Sequence, residues 1–343
     1  MNRTTIIAAV LICGVAASLG AEEKNPEKAA AKLITPAVQR GIERGLKWLV
    51  SQQRDDGSFN DGSYRGNVAV CALVGMAMMA DGSTPGRGPY GAQVSRCVDY
   101  LLANTQPSGF ICGPNSTYGP MYGHGFATMF LAECYGMSPR PELREKLSKA
   151  VKIIINSQNK RGGWRYQPVR ETADISVTVC QVMALRAVRN AGLYVPHETI
   201  DRSIDYVKRS QNADGGFMYM LSNPGESDFP RSAAAVVALY SAGIYKGPEI
   251  AKGLDYLTRF IPTEGVTRRE MYFFYGHYYA MQAMWQAGGE RFGRWYTAVS
   301  NELVSRQRED GSWQAAQEGN TCATAMACIV LEIPNNYLPI FQR

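Results

Sequence analysis

The stretch QREDGSW, residues 307–313, is the last of four full statements of one phrase. It follows QRDDGSF at 53–59, QNKRGGW at 158–164 and QNADGGF at 211–217, and a shortened form, QPSGF, stands at 106–110. The glutamines at 53, 106, 158, 211 and 307 are separated by 53, 52, 53 and 96 residues, so the last step spans two units. A degenerate copy is therefore expected near residue 260, where LTRFIPTEG keeps the glycine without the glutamine and the aromatic. A recurrence at about 50 residues marks a repeat architecture, and six such units fill residues 36–343.

Each unit carries two helical patterns. The first precedes the glutamine. VQRGIERGLKWLVSQ places Val38, Ile42, Leu46 and Leu49 on one face and Arg40, Glu43, Arg44 and Lys47 elsewhere; ELREKLSKAVKIIINSQ does the same with Leu143, Leu147, Val151 and Ile154. Such a stripe belongs to a helix wet on one side. The second pattern follows the aromatic. VAVCALVGMAMMA, FATMFLAECYG, ISVTVCQVMALRAV, RSAAAVVALYSAG, YYAMQAMWQAGG and TCATAMACIVLEI are apolar nearly all round and rich in small residues. A helix with no wet face lies inside. Six wet-faced helices alternating with six dry ones predict an all-α fold, an α/α toroid of six helical hairpins in two concentric rings. Both terminal units keep a dry helix, where an open array would present polar caps, so the ring is expected to close.

The phrase itself reads as architecture. Its glycine suits a left-handed turn after the outer helix, and the aspartate, where present, favours the same turn. The glutamine amide is suited to backbone groups at helix ends, and the aromatic to the seam between units.

The rest of the composition narrows the field. The 343 residues carry 36 basic and 30 acidic side chains, a net charge of +6, with no basic run, which argues against a nucleic-acid partner. Residues 1–21 read as a signal peptide: Arg3, the apolar run TTIIAAVLICGVAASLG, then Ala21 before the polar EEKNPEK. An uncleaved anchor is the alternative. Residues 22–35 read as a polar spacer, and no second stretch is long and apolar enough to span a membrane. An exported protein, periplasmic or extracellular, is the expectation. Seven cysteines follow the leader, an odd number, and most sit in apolar runs as buried thiols; Cys97 and Cys112 are the pair to test for a disulfide. No CxxC and no zinc-finger spacing occurs, so neither a metal nor a cofactor is expected.

The Gln-x-x-x-Gly-x-aromatic phrase at this period resembles the QW motif of the prenyltransferase and squalene oxidase repeat family, which includes terpenoid cyclases and the β subunits of protein prenyltransferases. The resemblance covers residues 36–333 and implies the α/α toroid. DISVTVCQVMAL (174–185), GHYYAMQAMWQAGGERF (276–292) and the ending IPNNYLPIFQR look most like single-domain exported bacterial members of no established activity. Cyclases of the family use a D-x-D-D cluster opening an inner helix. Aligned on TADIS, it puts Asp174 at the protonating position, with Thr172 and Ile175 where the other carboxylates stand. The prenyltransferase zinc set, an Asp, a Cys two residues later and a distant His, meets Ser176 and Asn320 here and is not carried over.

In a toroid the N-termini of the inner helices converge on one mouth, the default pocket. The segments feeding it hold Tyr64, Arg65, Tyr122, His124, Tyr166, Arg170, Asp174, Asp228, Arg231, Arg268, Tyr272, Tyr275, His277 and Tyr278. Asp174 and Asp228 suit helix caps as well as chemistry. His124 and Asp174, from adjacent units, are a candidate acid–base pair, whereas His124 and His277 lie in units two and five, across the ring, too far apart to share an ion. The aromatic run MYFFYGHYYAM (271–281) suits an apolar chain, a carbocation or a sugar ring. Three readings follow: a module that binds a ligand or another exported protein at the mouth, a terpenoid- or prenyl-handling enzyme with Asp174 as general acid, and a carbohydrate-active enzyme with Asp174 and Asp228 as its carboxylates.

Overall fold

The computed structural model describes residues 26–113, 119–137, 140–263 and 271–342, so the expected leader and the degenerate turn glycine at 265 lie outside the described residues. A short helix α1 (Pro26–Ala31) comes first. Six hairpins follow, each an outer and then an inner helix: α2 (Pro36–Gln52) and α3 (Val68–Ala80), α4 (Gly91–Ala103) and α5 (Pro120–Tyr135), α6 (Pro141–Ser157) and α7 (Ile175–Asn190), α8 (His197–Arg209) and α9 (Phe229–Ser241), α10 (Pro248–Thr258) and α11 (Phe273–Ala287), α12 (Gly289–Arg306) and α13 (Asn320–Glu332).

The ring closes. Each inner helix packs on the inner helices of the units before and after it, and α13 packs back on α3. The outer ring closes as well, with α12 against α2 and α2 seated on α13. The two sequence patterns sort as expected. Val38, Ile42, Leu46 and Leu49 of α2 are buried while Arg40, Glu43, Arg44 and Lys47 are exposed, and every residue of α3 except Ala69 is buried. Removing the dry helices from water supplies the main driving force for the closed form.

The repeated phrase is the joint between units. After the outer helix the chain turns through a glycine at positive φ: Gly57 at 86°, Gly162 at 95°, Gly215 at 89° and Gly311 at 92°. The turn lies against the next outer helix, where a Cβ on Gly311 would fall 2.6 Å from the Arg44 carbonyl oxygen. Conformation and contact both demand glycine. The aspartates close the turn as expected, Asp56 accepting from Ser58 N at 3.0 Å and Asp310 from Ser312 N at 2.9 Å. The glutamine serves the joint rather than a bare helix end. Gln158 Nε2 donates to the carbonyls of Gly162 and Thr199, and Gln211 Nε2 to those of Gly215 and Glu249, at 2.9–3.0 Å. Each amide thus ties its own turn to the start of the following outer helix. The aromatics are buried, and the indoles of Trp164 and Trp313 donate back to the Ile154 and Leu303 carbonyls of their own outer helices at 2.7 and 2.8 Å.

Unit two corrects the sequence alignment by one residue. Its paired positions are Thr105 and Ile111, matching Gln53 with Phe59 and Gln211 with Phe217. Gln106 is exposed and stands in register with Arg54, its N–H bonding the Phe110 carbonyl as that of Arg54 bonds Ser58.

Two further expectations change. Part of the stretch expected as a spacer is folded, since α1 packs on the 3-10 turn Ile333–Asn335 and Ala30 is buried. Cys97 and Cys112 are free thiols, as are Cys71, Cys134, Cys180, Cys322 and Cys328. Cys97 is directed to the phrase of unit one instead, where its sulfur accepts from Gln53 Nε2 at 3.4 Å.

The C-terminal segment crosses the far end of the ring. Ile340 N donates to Glu133 Oε2 of α5 at 3.2 Å, and the Phe341 carbonyl accepts from Trp285 Nε1 and Gln286 Nε2 of α11 at 2.9 and 3.0 Å. Ile340 and Phe341 are buried there. Burial pushes the Glu133 carboxyl up to about 7.

Candidate functional site

The first turns of all six inner helices surround a cavity of about 590 Å³. It is lopsided. On the side of α3, α5 and α13 it reaches the second turn, to Leu73, Phe126 and Met326. On the side of α7, α9 and α11 it stops at Ser176, Arg231 and Tyr275. The centre of the ring is filled by rings from α11: Tyr278 lies 6.3 Å from Phe126 and 4.9 Å from Tyr279, which lies 4.8 Å from Tyr275 (centroid distances). Phe126 and Tyr278 belong to opposite sides of the ring, so their contact floors the cavity. A collar of six tyrosines, Tyr64, Tyr122, Tyr166, Tyr219, Tyr272 and Tyr275, lines the upper wall.

Carboxylates are directed to the helix ends. Asp61, from unit one, accepts from Thr321 N at 3.0 Å and Cys322 N at 3.3 Å and so caps α13 across the closing seam. Tyr64 supports that seam, its hydroxyl donating to the Gln317 carbonyl at 2.8 Å. Asp174 caps its own helix, Oδ1 accepting from Val177 N at 2.8 Å. Asp228 stands at the N-cap of α9 without a side-chain cap bond and lines the cavity, 4.0 Å from Arg231. Arg231 is engaged with the backbone, Nε to the Phe217 carbonyl at 3.2 Å and Nη2 to that of Glu226 at 2.9 Å. Glu318 lines the cavity beside the N-terminal amides of α11, and burial raises its carboxyl above the usual range.

Asp174 is fully buried and does not itself line the cavity. Desolvation pushes its carboxyl up to about 6, against the pull of the Val177 amide and the Arg165 guanidinium. Its Oδ2 has no completed hydrogen bond, although the Tyr219 hydroxyl lies close enough to favour the charged form. Two phenols that do line the cavity, Tyr219 and Tyr166, have their hydroxyls 2.5 Å apart. The Arg165 guanidinium sits 4.9 Å from the Tyr166 centroid and 6.0 Å from that of Tyr219.

Local sequence explains this pair. Tyr166 and Tyr219 each stand two residues after the aromatic of their phrase, WRY and FMY. Their carbonyls accept from Met121 N, at the start of α5, and from Ile175 N, at the start of α7, at 3.1 and 3.0 Å. That offset therefore places a side chain over the preceding unit's inner helix, and Asp61, two after Phe59, occupies the same offset over α13. Tyr219 was missed in the sequence because the phrases were aligned only as far as their aromatics. Extending the alignment by two residues would have found it.

The remaining candidates divide. Tyr64, Tyr122, Tyr166, Asp228, Arg231, Tyr272 and Tyr275 line the cavity; Arg65, His124, His277 and Tyr278 do not. His124 has a structural task instead. Its Nδ1 accepts from Ile111 N at 3.1 Å and its Nε2 meets the Ala150 carbonyl at 3.1 Å, while burial pushes the imidazole down to about 4. Thr178, Ser232 and Thr324 accept from Trp164 N, Phe217 N and Trp313 N in the same way, so His124 fills the position of a hydroxyl residue. His277 packs among Phe229, Phe273 and Trp295, behind the wall of the ring. Arg170 lines a separate surface cleft of about 340 Å³ with Lys160 and Arg161, and Arg268 lies outside the described residues. Among the described residues, no group of three or more His, Cys, Asp or Glu side chains is placed to hold a metal ion.

Comparison with known proteins agrees with this geometry. The squalene-hopene cyclase C-terminal domain family matches residues 127–274. The type II terpene cyclase MstE from Scytonema, solved with geranylgeranyl dihydroxybenzoate, superposes with a TM-score of 0.64 at 14% identity, covering 88% of this chain and 98% of that one. The chain has the α/α-toroid fold of these terpene cyclases. The toroid also superposes on the α-1,6-mannanase GH76A of Salegentibacter, solved with α-1,6-mannotriose, with a TM-score of 0.66 at 6% identity, covering 88% and 99%. Cellobiose 2-epimerase from Bacillus thermoamylovorans gives 0.64 at 12% identity, covering 87% and 99%. No curated protein sequence matches the chain. At these identities the solved structures establish the fold of the toroid and leave its chemistry to its own residues.

Proposed function

We propose that this toroid binds an apolar ligand of isoprenoid type in the mouth, hydrocarbon end first. The observation that carries this reading is the cavity itself, about 590 Å³, deepest between Leu73, Phe126 and Met326 and collared by phenols. Its volume falls in the range of roughly 300–1,000 Å³ found for small-molecule sites. Apolar depth rewards a hydrocarbon, and hydroxyls at the collar fix a polar end. Asp174 fits the reading as a protonatable group close behind the wall. Its position does not suit direct attack on an alkene, since a general acid must reach the atom it protonates. Binding is therefore the primary activity proposed, with acid catalysis by Asp174 secondary to it. We propose export for the same protein, on the strength of residues 1–21.

A carbohydrate ligand is the second reading, favoured by two carboxylates, Asp228 and Glu318, both on the cavity wall. One experiment separates the two. The purified protein is titrated with geranylgeraniol and with α-1,6-mannotriose by native mass spectrometry, alongside Cys322→Trp, which places an indole in the cavity. The isoprenoid reading expects one geranylgeraniol per chain, abolished by the indole. Saturable binding of the trisaccharide alone, or geranylgeraniol binding indifferent to Cys322→Trp, would sink it.

A further inference from the structure

Asp174 is buried behind the cavity, and Tyr219 and Tyr166 are on its wall. The inner end is a fully buried carboxyl whose Oδ2 lacks a hydrogen bond, and the next residue, Ile175, donates its N–H to the Tyr219 carbonyl at 3.0 Å, which brings Tyr219 to this carboxyl. The middle is the contact between the Tyr219 and Tyr166 hydroxyls, 2.5 Å apart. Both phenols line the cavity, whereas the carboxyl does not. We propose that these three side chains are a hydrogen-bond chain whose direction is set by Asp174, and that through it the cavity recognises an oxygen on the ligand, accepting from a hydroxyl or donating to a carbonyl according to that direction. The proposal rests on the ligand-binding reading of the cavity and adds the chemistry of the ligand's polar end.

The direction follows from counting protons. A phenol hydroxyl has one hydrogen to give and lone pairs to receive with. When Asp174 carries a proton on Oδ2, that proton is given to Tyr219 Oη. Tyr219 then gives its hydrogen to Tyr166 Oη, and Tyr166 points its own hydrogen at the ligand. When Asp174 is ionised, Tyr219 turns its hydrogen to Oδ2, Tyr166 turns its hydrogen to Tyr219, and a lone pair of Tyr166 faces the ligand. No bond is made or broken to carbon. One proton is taken from or returned to solvent at Asp174, and two hydroxyls rotate.

The surroundings leave Asp174 as the group that changes state. Facing it are Arg165 from the turn before α7, Tyr122 from α5, Cys180 from α7, Tyr206 from α8, Tyr219 from the turn before α9 and Tyr275 from α11. Arginine keeps its charge at any working pH. Burial pushes the four tyrosines above their ordinary range and Cys180 up to about 12, so these stay neutral. The Asp174 carboxyl, at about 6, titrates within reach of physiological conditions. The geometry survives the needed substitutions. Asp174→Asn retains a cap for α7, and Tyr219→Phe retains the carbonyl that accepts from Ile175 N.

Two measurements test the proposal. The first needs no ligand. With 13Cζ-labelled tyrosine, the Tyr219 and Tyr166 signals of the intact protein should move together with a common midpoint near that of Asp174, and hold still in Asp174→Asn. Phenol signals that ignore pH between 4.5 and 8 would overturn the chain, whatever the cavity binds. The second uses geranylacetone, whose ketone only accepts, against geranylgeraniol, whose hydroxyl does both. Ketone affinity should fall about tenfold from pH 5 to pH 7.5, the scale of one hydrogen bond lost in a buried site. The alcohol should change less than about twofold, because it turns with the chain. Tyr219→Phe should remove the ketone's pH dependence while leaving alcohol binding in place. An unchanged slope in Tyr219→Phe would overturn the relay alone, and failure of both ligands to bind at any pH would overturn it together with the isoprenoid reading.

Discussion

Gln307, in the last unit, donates from Nε2 to the carbonyl of Gly41 in the first, 2.9 Å away, and to its own turn carbonyl at Gly311, also at 2.9 Å. The link is chemically the same as Gln158 to Thr199 in mid-ring, yet it joins chain segments more than 260 residues apart. Gln307→Ala and Gln158→Ala should each cost about 1–2 kcal/mol in chemical unfolding, the value of paired amide bonds at a joint half-buried at Gln307 and buried at Gln158. They should differ in hydrogen exchange. Only Gln307→Ala should speed exchange in α2 and α13 together, since it loosens the closing seam. Equal exchange in the two variants would argue that the ring closes without help from the staple.

Asp174 is held against its burial. Its folded carboxyl titrates at about 6, above the ordinary 3.8, so the native state binds the proton more tightly than the unfolded chain does. This group therefore costs little below pH 4, and stability declines as pH rises through 4 to 6, by about 3 kcal/mol in all. Asp174→Asn keeps the cap without the buried charge. Urea unfolding should find it about 1–3 kcal/mol more stable than the parent at pH 7, with the gain gone by pH 4. A variant less stable at pH 7 would mean that the carboxylate is better compensated than its position indicates.

His124 behaves in the opposite sense. Its folded imidazole titrates at about 4, below the ordinary 6.5, because burial disfavours the charged ring, against the opposing pull of the Ala150 carbonyl. The stability tied to the neutral ring is fully present above pH 6.5 and is lost as pH falls toward 4, by about 3 kcal/mol. His124→Thr restores the residue type found at 178 and 324. It should be less stable at pH 7 by about 2–4 kcal/mol, through the volume left behind. Its stability should also depend less on pH between 6.5 and 4 than the parent's, which a series of unfolding midpoints would read. Glu133, pushed up to about 7, works against His124 in that window, so the difference between variant and parent is the quantity to compare.

The seven cysteines of the ring are free and most are buried in the helix contacts. A chain unfolded without reductant should react with seven equivalents of maleimide in addition to any from Cys13. Its melting temperature should be the same with and without reductant. A rise on oxidation would instead signal a disulfide tying helices together.

The architecture was legible because it is written in periodicity. Four copies of a phrase and two kinds of amphipathicity fix the number of hairpins, which helices lie inside, and, through the dry terminal helices, the closure. Most of the mouth was legible too, because whatever follows the phrase and opens an inner helix must face it. What escaped the sequence was depth and direction. Tyr278 and Tyr275 are near neighbours in one run, yet Tyr275 lines the cavity and Tyr278 is sealed under Phe126, a difference set by helical phase across the ring. His124 stood in the right segment, and only the hydrogen bond from Ile111 shows that it replaces a hydroxyl in a joint. Thr105 and Ile111 went unread because neither is a glutamine or an aromatic, although the backbone places them in those roles.

The segment ending at Phe341 has a consequence for how the molecule meets anything large. With Ile340 and Phe341 lodged beneath the helices and Tyr278 above them, the described residues plug the ring between its two sides. A polymer cannot be threaded, and a long chain can be handled only by its tip, which must back out the way it came.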